Sequence, residues 1–592
     1  MEAAKYIVNH LKEEGVKHAF LINGGVIAPV IDAFDKKENL EFICTTHEQG
    51  AAIAAEAYSR VTENLGVAIA TSGPGATNLI TGIGCAYFDS IPTLYITGQV
   101  PTHELTWRGG PRQVGFQETD IASIVKPITK YSKQVKNPNS IKYELEKAIY
   151  LAKSGRPGPV LLDLPMDVQR TDINPEELPG YYPEKKEVDY QLLSRKIEQT
   201  IELIKESERP VLILGAGVKL GKTQKRTKDL VEKLGIPVLQ TWGAMDVLPY
   251  NHPLFVEGFG VSHNRAGNFT VQNSDLLISL GARLDTRETG GRPETFARGA
   301  KKVVVDIDSG ELYKERGVKI DVDINYDLKD FIDAFSEKLD FVKTKDLTKW
   351  KSKINEWKGK FPICKPEYFH QTEKVNPYVF MESLSKESKE GDIIITDAGS
   401  NLTWTMQSWK VKENQKLFSA FGNSPMGYSL PASIGASIAS NNGPVTCIIG
   451  DGGIKMNINE LETIVRHNLP IKIFLINNHE YGIIKQFQDT LFGSRYKATS
   501  YEGGLGESDL MSVANSFGIP ATQINSHYEM PKKVREILGY SKGPILCSVE
   551  LKKGEKIRPK LEYGRPIEDP APFLDREEFK KEMIIPLLAD KK

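Results

Sequence analysis

A chain of 592 residues is too long for one ordinary hydrophobic core, so its length predicts about three domains of roughly 150–200 residues each. The content of 40% hydrophobic and 26% charged residues is typical of a soluble globular protein, and a formal net charge of −1 excludes a general attraction to nucleic acid or anionic membranes. No stretch reaches the roughly 20 apolar residues of a membrane span, and the first residues lack the pattern of a signal peptide.

The cysteine pattern indicates a reducing compartment. The chain has five cysteines, which are far apart and form no CxxC pair. We therefore expect reduced, mostly buried thiols, a cytoplasmic location, and neither a nucleic-acid nor a membrane partner.

Short apolar runs alternate with helix-like segments along almost the whole chain. Examples lie at residues 67–71, 93–97, 160–163, 211–215 and 393–396. Fully apolar strands separated by helices are typical of parallel sheets covered on both faces. Because the pattern occurs in three blocks, we predict an α/β fold with three doubly wound parallel-sheet domains.

Polar stretches at residues 174–183 and 343–375 separate these blocks and have the composition of linkers. They predict domains at residues 1–172, 188–342 and 372–555. A proline-rich tail over residues 556–592 follows the third domain.

Polar residues follow strands in the first two blocks. In the first, Glu48 opens a helix after the strand at 40–44, where a carboxylate could simply complement the helix dipole. In the second, small and charged residues follow the strands that end near residues 214, 280 and 305.

The third block carries the most specific pattern. A strand ending in Gly450 runs into Asp451, Gly452 and Gly453, and the next strand of this βαβ unit ends beside Asn478. Both strand ends belong to the sheet edge where α/β folds bind ligands. Carboxylate and amide oxygens are ligands that Mg²⁺ prefers, and glycines let the backbone approach a phosphate. An isolated Gly-Asp-Gly is usually an ordinary turn, but this combination favours a metal–phosphate site.

The same residues resemble the thiamine diphosphate (ThDP) motif of pyruvate-decarboxylating enzymes. The segments at 67–78 and 89–102 closely resemble acetolactate synthase catalytic subunits, and the likeness is collinear over about residues 1–555. It implies a pyrimidine-binding domain at 1–172, a central FAD-like domain at 188–342, a diphosphate-binding domain at 372–555, and a tail at 556–592 that is a candidate active-site lid.

The resemblance assigns residues to ThDP and Mg²⁺. It adds the backbone carbonyl of Glu480 to the metal ligands Asp451 and Asn478, and it makes Met426 the residue that wedges between the two coenzyme rings. An alternative for Met426 is a filler of a core gap. The residues it places around ThDP are Ser400, Asn401, Met426, Gly450, Asp451, Gly452, Gly453, Asn478 and Ile483.

The resemblance also assigns catalytic roles in the first domain. Glu48 aligns with the glutamate that hydrogen-bonds the aminopyrimidine ring and helps to activate the coenzyme. Gln117 matches a residue that contacts the substrate, although a solvated loop amide is an equally good interpretation. In the family Glu48 and the metal site come from different subunits, so the resemblance implies a homodimer or homotetramer with shared active sites.

The middle domain resembles the FAD-binding domain of these synthases. The resemblance places Arg283 at the FAD phosphates and Asp306 at its ribose, and the alternative is a structural domain that has lost its dinucleotide site. The residues it assigns to FAD are Gly215, Gly217, Gly281, Ala282, Arg283, Asp285 and Asp306.

The acceptor side departs from the family. Phe487 stands where acetolactate synthases carry a Trp, the loop before Phe116 is longer, and the tail resembles synthase-like proteins linked to surface-sugar biosynthesis. Arg287 matches an arginine that binds the carboxylate of the second substrate.

The resemblance implies decarboxylation of pyruvate and transfer of the two-carbon unit to a second 2-keto acid, as in branched-chain amino acid biosynthesis. The alternatives are the same donor chemistry with another acceptor such as a keto-sugar, or a non-catalytic ThDP-binding relative. A small regulatory subunit is a further possible partner.

Overall fold

The computed structural model describes residues 1–34, 40–107, 109–184, 187–315 and 317–588, so Arg108 of the long loop before Phe116 lies outside the described residues. The described chain forms three six-stranded sheets, and all strand pairs in them are parallel. Helices flank each sheet, so the predicted fold class of three doubly wound parallel sheets is confirmed. The exact domain bounds stay a prediction.

The first sheet has the strand order β2-β1-β3-β4-β6-β5. Its strands are β1 (His18–Leu21), β2 (Glu41–Cys44), β3 (Gly66–Ala70), β4 (Thr93–Gln99), β5 (Tyr131–Gln134) and β6 (Pro159–Pro165). The helices of this part are α1 (Ala3–Glu13), α2 (Ala28–Asp32), α3 (Glu48–Thr62), α4 (Pro74–Asn78), α5 (Ile80–Asp89), α6 (Ile121–Val125), α7 (Ile141–Lys153) and α8 (Met166–Arg170). The central strands β3 and β4 are buried along their whole length because helices cover both faces.

The middle sheet has the order β12-β11-β10-β7-β8-β9. Its strands are β7 (Pro210–Leu214), β8 (Val238–Gln240), β9 (Phe255–Gly258), β10 (Leu276–Leu280), β11 (Lys301–Val305) and β12 (Val322–Ile324). Its helices are α9 (Tyr190–Glu206), α10 (Gly217–Leu220), α11 (Gln224–Leu234), α12 (Arg265–Gln272), α13 (Thr286–Thr289), α14 (Ser309–Leu312), α15 (Leu328–Ser336) and α16 (Thr348–Lys360). Helix α16 lies within the stretch at 343–375 that the sequence predicted to be a linker, but its side chains Trp350, Ile354 and Trp357 are buried.

The third sheet has the order β14-β13-β15-β16-β18-β17, which repeats the order of the first sheet. Its strands are β13 (Ile393–Thr396), β14 (Lys416–Phe418), β15 (Val445–Gly450), β16 (Ile471–Asn477), β17 (Ala521–Ile524) and β18 (Ile545–Glu550). The remaining helices are α17 (Pro377–Glu387), α18 (Ser400–Ser408), α19 (Ser429–Ala439), α20 (Asp451–Ile454), α21 (Glu460–Arg466), α22 (Gly482–Leu491), α23 (Leu510–Ser516), α24 (Met530–Leu538) and α25 (Arg576–Glu582).

Helices α3 and α19 join the first and third sheets. Both are rich in small residues, and a Cβ atom at Gly435 would lie 1.9 Å from the carbonyl oxygen of Ala54. Only glycine lets the two backbones approach so closely. One buried hydrophobic cluster therefore runs continuously from the first sheet into the third.

The tail crosses from the third sheet to the middle sheet. The Gln486 side chain on α22 donates to the Ile557 carbonyl oxygen and accepts from the Ile557 amide, both at 3.0 Å. The Leu561 amide then donates to the Val261 carbonyl oxygen at 2.8 Å. Further along, buried Asn268 donates to the Ile567 carbonyl oxygen at 2.7 Å. The role of the tail as a lid stays a prediction.

All five cysteines lie in the described residues and are free thiols, and Cys85, Cys447 and Cys547 are buried. Within the described part of the chain, no helix combines the length and the apolar character needed to cross a bilayer.

Candidate active site

Three oxygen-bearing groups converge where β15 and β16 end side by side. Asp451 follows β15, and Asn478 follows β16. The Asn478 side-chain amide reaches to 2.8 Å from the Glu480 carbonyl oxygen and to 3.2 Å from Asp451 Oδ1. With its nitrogen in that position the amide donates to both oxygens, and with its oxygen there the three groups form a cluster of acceptors that a cation would complete.

This donor set fits Mg²⁺, which takes hard oxygen ligands. Burial raises the pKa of Asp451 to about 6. The Glu480 side chain turns away from the cluster, pairs with Lys485 and accepts a hydrogen bond from the Gly554 amide. Among the described residues there is no group of three His, Cys, Asp or Glu side chains that could hold a metal instead.

The start of α18 lies beside this cluster. Gly399 precedes the helix with a φ of 100°, and Ser400 and Asn401 begin it. Asn401 Nδ2 donates to the Asp397 carbonyl oxygen at 2.9 Å, and a Cβ atom at Gly450 would lie 3.4 Å from Asn401 Oδ1. The free backbone N–H groups at a helix start favour an anion such as a diphosphate.

Two of the glycines predicted to approach a phosphate are also required by their own surroundings. A Cβ atom at Gly452 would lie 2.3 Å from the Tyr481 ring, and one at Gly453 would lie 2.0 Å from Asp397 Oδ2. These contacts give a packing reason for both glycines that the sequence pattern did not show.

Met426 lies over the Asp451 loop, and its Cε is 3.2 Å from the position of a Cβ atom at Gly452. Asp397 fixes this segment because its carboxylate accepts from the amides of Gly427 at 2.9 Å and Ser429 at 3.2 Å. Burial raises the pKa of Asp397 to about 7. Sequence reasoning missed this residue, although an Asp directly after a fully apolar strand was a usable signal.

Glu48 begins α3 at the carboxyl edge of the first sheet. Its Oε2 accepts a hydrogen bond from Asn78 Nδ2 at 2.9 Å, which orients the carboxylate. The next residue, Gln49, donates to Asn457 Oδ1 at 3.2 Å, and Asn457 donates to the Gly427 carbonyl oxygen at 2.9 Å. A short chain of hydrogen bonds thus connects the start of α3 to the Met426 segment of the same chain.

Glu460 connects the third domain to the segment just before α3, and the sequence did not predict this role. This carboxylate is buried, it accepts from the His47 amide at 3.1 Å and from Thr463 Oγ1 at 2.8 Å, and burial raises its pKa. A glutamate on a helix is not a sequence signal by itself, and the backbone amides of Thr46 and His47 that this one accepts from lie more than 400 residues away in the chain.

Gln117 lies next to the loop that follows β3. It has a φ of 65°, and a Cβ atom at Gly73 would lie 3.0 Å from the Gln117 Cβ. A Cβ atom at Gly75 would lie 3.3 Å from Glu48 Oε1, so the structure brings the two predicted catalytic residues to one edge. Phe116 is 84% exposed beside them.

A buried network holds the Gln117 segment. Asp163 accepts hydrogen bonds from Thr97 Oγ1 at 2.7 Å, Gln99 Nε2 at 3.0 Å and Gln134 Nε2 at 2.9 Å. Gln99 in turn donates to the Thr119 carbonyl oxygen at 2.8 Å. Burial raises the pKa of Asp163 to about 6.

A cavity of about 1400 Å³ opens between the middle sheet and the other two. This is larger than the roughly 300–1,000 Å³ of most small-ligand pockets. Six of the seven residues predicted to contact FAD line the cavity: Gly217, Gly281, Ala282, Arg283, Asp285 and Asp306. Gly215 does not line it, because a Cβ atom there would lie 2.1 Å from the Gly281 carbonyl oxygen.

The strand order explains why these residues meet. Taken from β9, the order is β9-β8-β7-β10-β11-β12, the order of dinucleotide-binding sheets. Ligands bind such sheets where the order reverses, which here is between β7 and β10. Arg283, just after β10, donates hydrogen bonds to the Phe88 carbonyl oxygen and to the Asp285 carboxylate. Burial raises the pKa of Asp306, which follows β11, to about 6.

The predicted acceptor residues lie on two different elements. The Arg287 guanidinium stacks on Trp242 with 4.6 Å to the ring centroid, and it faces the large cavity with no hydrogen-bond partner among the described residues. Removal of water from around the Arg287 guanidinium lowers its pKa. Phe487 lies on α22 and is 51% exposed, whereas Ile483 on the same helix packs against a buried cluster.

Three thiamine pyrophosphate enzyme family models match: the N-terminal TPP binding domain over residues 1–124, the central domain over 197–335, and the C-terminal TPP binding domain over 397–549.

Curated relatives match along the whole length. The acetolactate synthase large subunit of Cyanidium caldarium is 34% identical over 94% of both chains. A probable acetolactate synthase large subunit of Methanocaldococcus jannaschii is 36% identical over 94% of this chain and 93% of its own. The acetolactate synthase large subunit of Lactococcus lactis is 33% identical over 95% of this chain and 94% of its own length. Because three ThDP enzyme family models match and these relatives are at least 33% identical over more than nine-tenths of the chain, the chain belongs to the ThDP-dependent acetolactate synthase large-subunit family.

Proposed function

We propose that the protein is an acetolactate synthase that decarboxylates pyruvate with ThDP and Mg²⁺ and transfers the two-carbon unit to a second 2-keto acid. The convergence of Asp451, Asn478 and the Glu480 carbonyl beside the start of α18 is the observation that carries this proposal. When bound, ThDP supplies the carbon nucleophile and accepts the electron pair released with CO₂.

The chain's own residues have distinct tasks in this reaction. Asp451, Asn478 and the Glu480 carbonyl would hold Mg²⁺, and Ser400 and Asn401 would face the diphosphate. Glu48, oriented by Asn78, would hold or give up a proton at its carboxylate opposite the coenzyme's pyrimidine ring. Gln117 donates a hydrogen bond to the substrate carbonyl, and Arg287 binds the carboxylate of the acceptor.

A test with pyruvate as the sole substrate separates the acceptors. We expect purified protein with ThDP and Mg²⁺ to form acetolactate, because the Arg287 guanidinium faces the cavity, has no hydrogen-bond partner within the described part of the chain and can bind a second pyruvate carboxylate. CO₂ release that needs an added carbonyl compound would contradict this and would favour a different acceptor. Phe487, which stands in place of the larger Trp of the synthases that the sequence resembles, is the observation that favours a different acceptor such as a keto-sugar.

We also propose that the large cavity binds FAD as a structural cofactor. The reversal of strand order at β7 and β10, the size of the cavity and the partly buried Asp306 in its wall support it. We expect purified protein to show a flavin absorption spectrum. Asp306→Asn should weaken FAD binding about tenfold, measured by flavin fluorescence, because a carboxylate bond to a ribose hydroxyl contributes about 1.5 kcal/mol.

Asp321→Asn on the neighbouring loop is the matched control, because Asp321 pairs with Lys301 away from the cavity. Protein that takes up no flavin from a solution of FAD would contradict the proposal.

The exposed apolar residues favour an assembly of more than one subunit. Ile484, Phe487, Leu491 and Phe492 form an exposed apolar stripe on and after α22, and Phe116 is exposed on the first domain. We propose a homodimer or homotetramer in which a second chain covers these surfaces. A small regulatory subunit is a further proposed partner, since the relatives are named large subunits.

A further inference from the structure

The Met426 segment, residues 419–428, connects β14 to α19 through turns and irregular backbone. Ser424 has a φ of 50° and Gly427 a φ of 83°, so the backbone enters the left-handed region twice. A residue with a side chain is uncommon in that region and persists where its surroundings hold the backbone. A bond from the Ser424 amide to the Ala420 carbonyl oxygen at 2.9 Å closes one turn. The shape of the segment therefore depends on bonds from other parts of the chain.

Asp89, the last residue of α5, holds the beginning of this segment. Its Oδ2 accepts a hydrogen bond from the Phe421 amide and its Oδ1 accepts one from the Gly422 amide, both at 2.7 Å. A Cβ atom at Gly422 would lie 2.5 Å from the Phe88 Cβ, so a larger residue would push the two backbones apart. The Asp89 side chain is 7% exposed, and hydrogen bonds to a carboxylate are about twice as strong as neutral ones. One carboxylate thus fixes two successive peptide groups just before Met426.

Arg60 on α3 fixes the Asp89 carboxylate in turn. Its Nη2 donates to Asp89 Oδ2 at 2.6 Å, and its Nε donates to Glu56 Oε1 at 2.7 Å. Glu56 is fully buried, and its Oε2 accepts from the Tyr428 hydroxyl at 2.6 Å. Tyr428 is the last residue of the Met426 segment. The planar guanidinium therefore bridges two carboxylates that hold opposite ends of the same segment, which the single ammonium group of a lysine cannot do in the same geometry.

A large hydrophobic cluster, in addition to this network, joins the first and third domains. Helices α3 and α19 touch at Ala54 and Gly435 inside that cluster. Asp397 separately holds the residues that follow Met426. What Asp89 adds is the position of the residues that precede Met426, so loss of its charge should change the segment and leave the fold intact.

We propose that Asp89, fixed by Arg60, is a positioning residue for Met426. It holds the segment so that Met426 stays over the Asp451 loop, where its Cε lies 3.2 Å from the position of a Cβ atom at Gly452. The inference rests on the proposed function, because the task of Met426 there is to hold bound ThDP in its reactive shape. Since Asp89 acts through the backbone of the segment, its loss should matter to ThDP only while the Met426 side chain is present.

Asp89→Asn tests the position of the segment in the coenzyme-free protein. The amide keeps the size of the side chain but has one oxygen, so at least one of the two backbone amides loses its acceptor. We expect amide hydrogen exchange of residues 419–428, followed by mass spectrometry, to become at least about tenfold faster. Arg60→Lys should accelerate it several-fold, because one ammonium group cannot hold both carboxylates in place.

A double-mutant cycle with Met426→Ala tests whether Asp89 acts through Met426. The readout is deuterium exchange of the hydrogen on the reactive carbon of bound ThDP, measured by NMR without any keto acid. We expect Asp89→Asn to slow this exchange roughly tenfold in the wild type and less than about twofold in the Met426→Ala protein. ThDP affinity should stay within about threefold, because the metal and diphosphate contacts lie on other loops.

Asp275→Asn is the matched control. Asp275 also accepts hydrogen bonds from two successive amides, those of Glu208 and Arg209, but it lies at the amino ends of β7 and β10. The substitution should leave both the exchange of residues 419–428 and the exchange at ThDP unchanged.

Two results would overturn the proposal. One is equal amide exchange of residues 419–428 in the wild type and in Asp89→Asn, with thermal unfolding midpoints confirming that the variant is folded. The other is an effect of Asp89→Asn on the ThDP hydrogen that is as large in the Met426→Ala protein as in the wild type. A failure to form acetolactate from pyruvate would instead contradict the proposed function, and neither exchange measurement depends on it.

Discussion

Glu48→Gln should lower the turnover number with pyruvate by roughly a hundredfold or more, which is the usual scale of acid–base catalysis. The amide keeps the size of the side chain and can still accept the hydrogen bond from Asn78, so the geometry at the start of α3 should survive. It cannot exchange a proton as a carboxylate does. ThDP affinity should stay nearly unchanged, because the metal and diphosphate contacts lie on the third sheet.

The measurements are steady-state turnover and a ThDP titration followed by intrinsic fluorescence. Glu13→Gln on α1 is a matched control, since the Glu13 side chain is 75% exposed and far in sequence from the site. Turnover of Glu48→Gln within about threefold of the wild type would remove Glu48 from the mechanism.

Asp451→Asn should raise the dissociation constant of ThDP at least a hundredfold at a fixed Mg²⁺ concentration. Asp451 is the only carboxylate in the oxygen cluster, so the substitution removes the one full negative charge that faces the cation. A hundredfold change corresponds to about 2.7 kcal/mol, below the roughly 3–5 kcal/mol often lost when one partner of a buried charge pair is removed.

The thermal stability of the coenzyme-free protein distinguishes this effect from misfolding. Without a cation the buried Asp451 carboxylate is unfavourable, so Asp451→Asn should leave the unfolding midpoint unchanged or slightly raise it. Asp509→Asn, an exposed helix cap on α23, serves as the control for ThDP binding. An Asp451→Asn protein that binds ThDP as tightly as the wild type would show that the cation lies elsewhere.

The sequence predicted the fold because the signals for parallel sheets are local. Each buried strand appears as an apolar run, and the strand ends mark the binding edges without knowledge of distant contacts. Asp451 and Asn478 could be paired in advance because both follow adjacent strands of one βαβ unit.

The sequence did not reveal the residues that act through distant partners. Glu460 bonds the segment before Glu48, and Asp163 holds Gln99, which holds Thr119. Each of these is an ordinary polar residue in its own segment, and only the folded chain brings the partners together.

The contact between Gly435 and Ala54 affects how the protein unfolds. Because the backbones of α3 and α19 touch inside a continuous hydrophobic cluster, the two outer thirds of the chain form a single cooperative unit even though the middle third separates them in sequence. We therefore expect the segments that carry Glu48 and the Asp451–Asn478 cluster to unfold in the same event, so that a partly unfolded chain keeps neither.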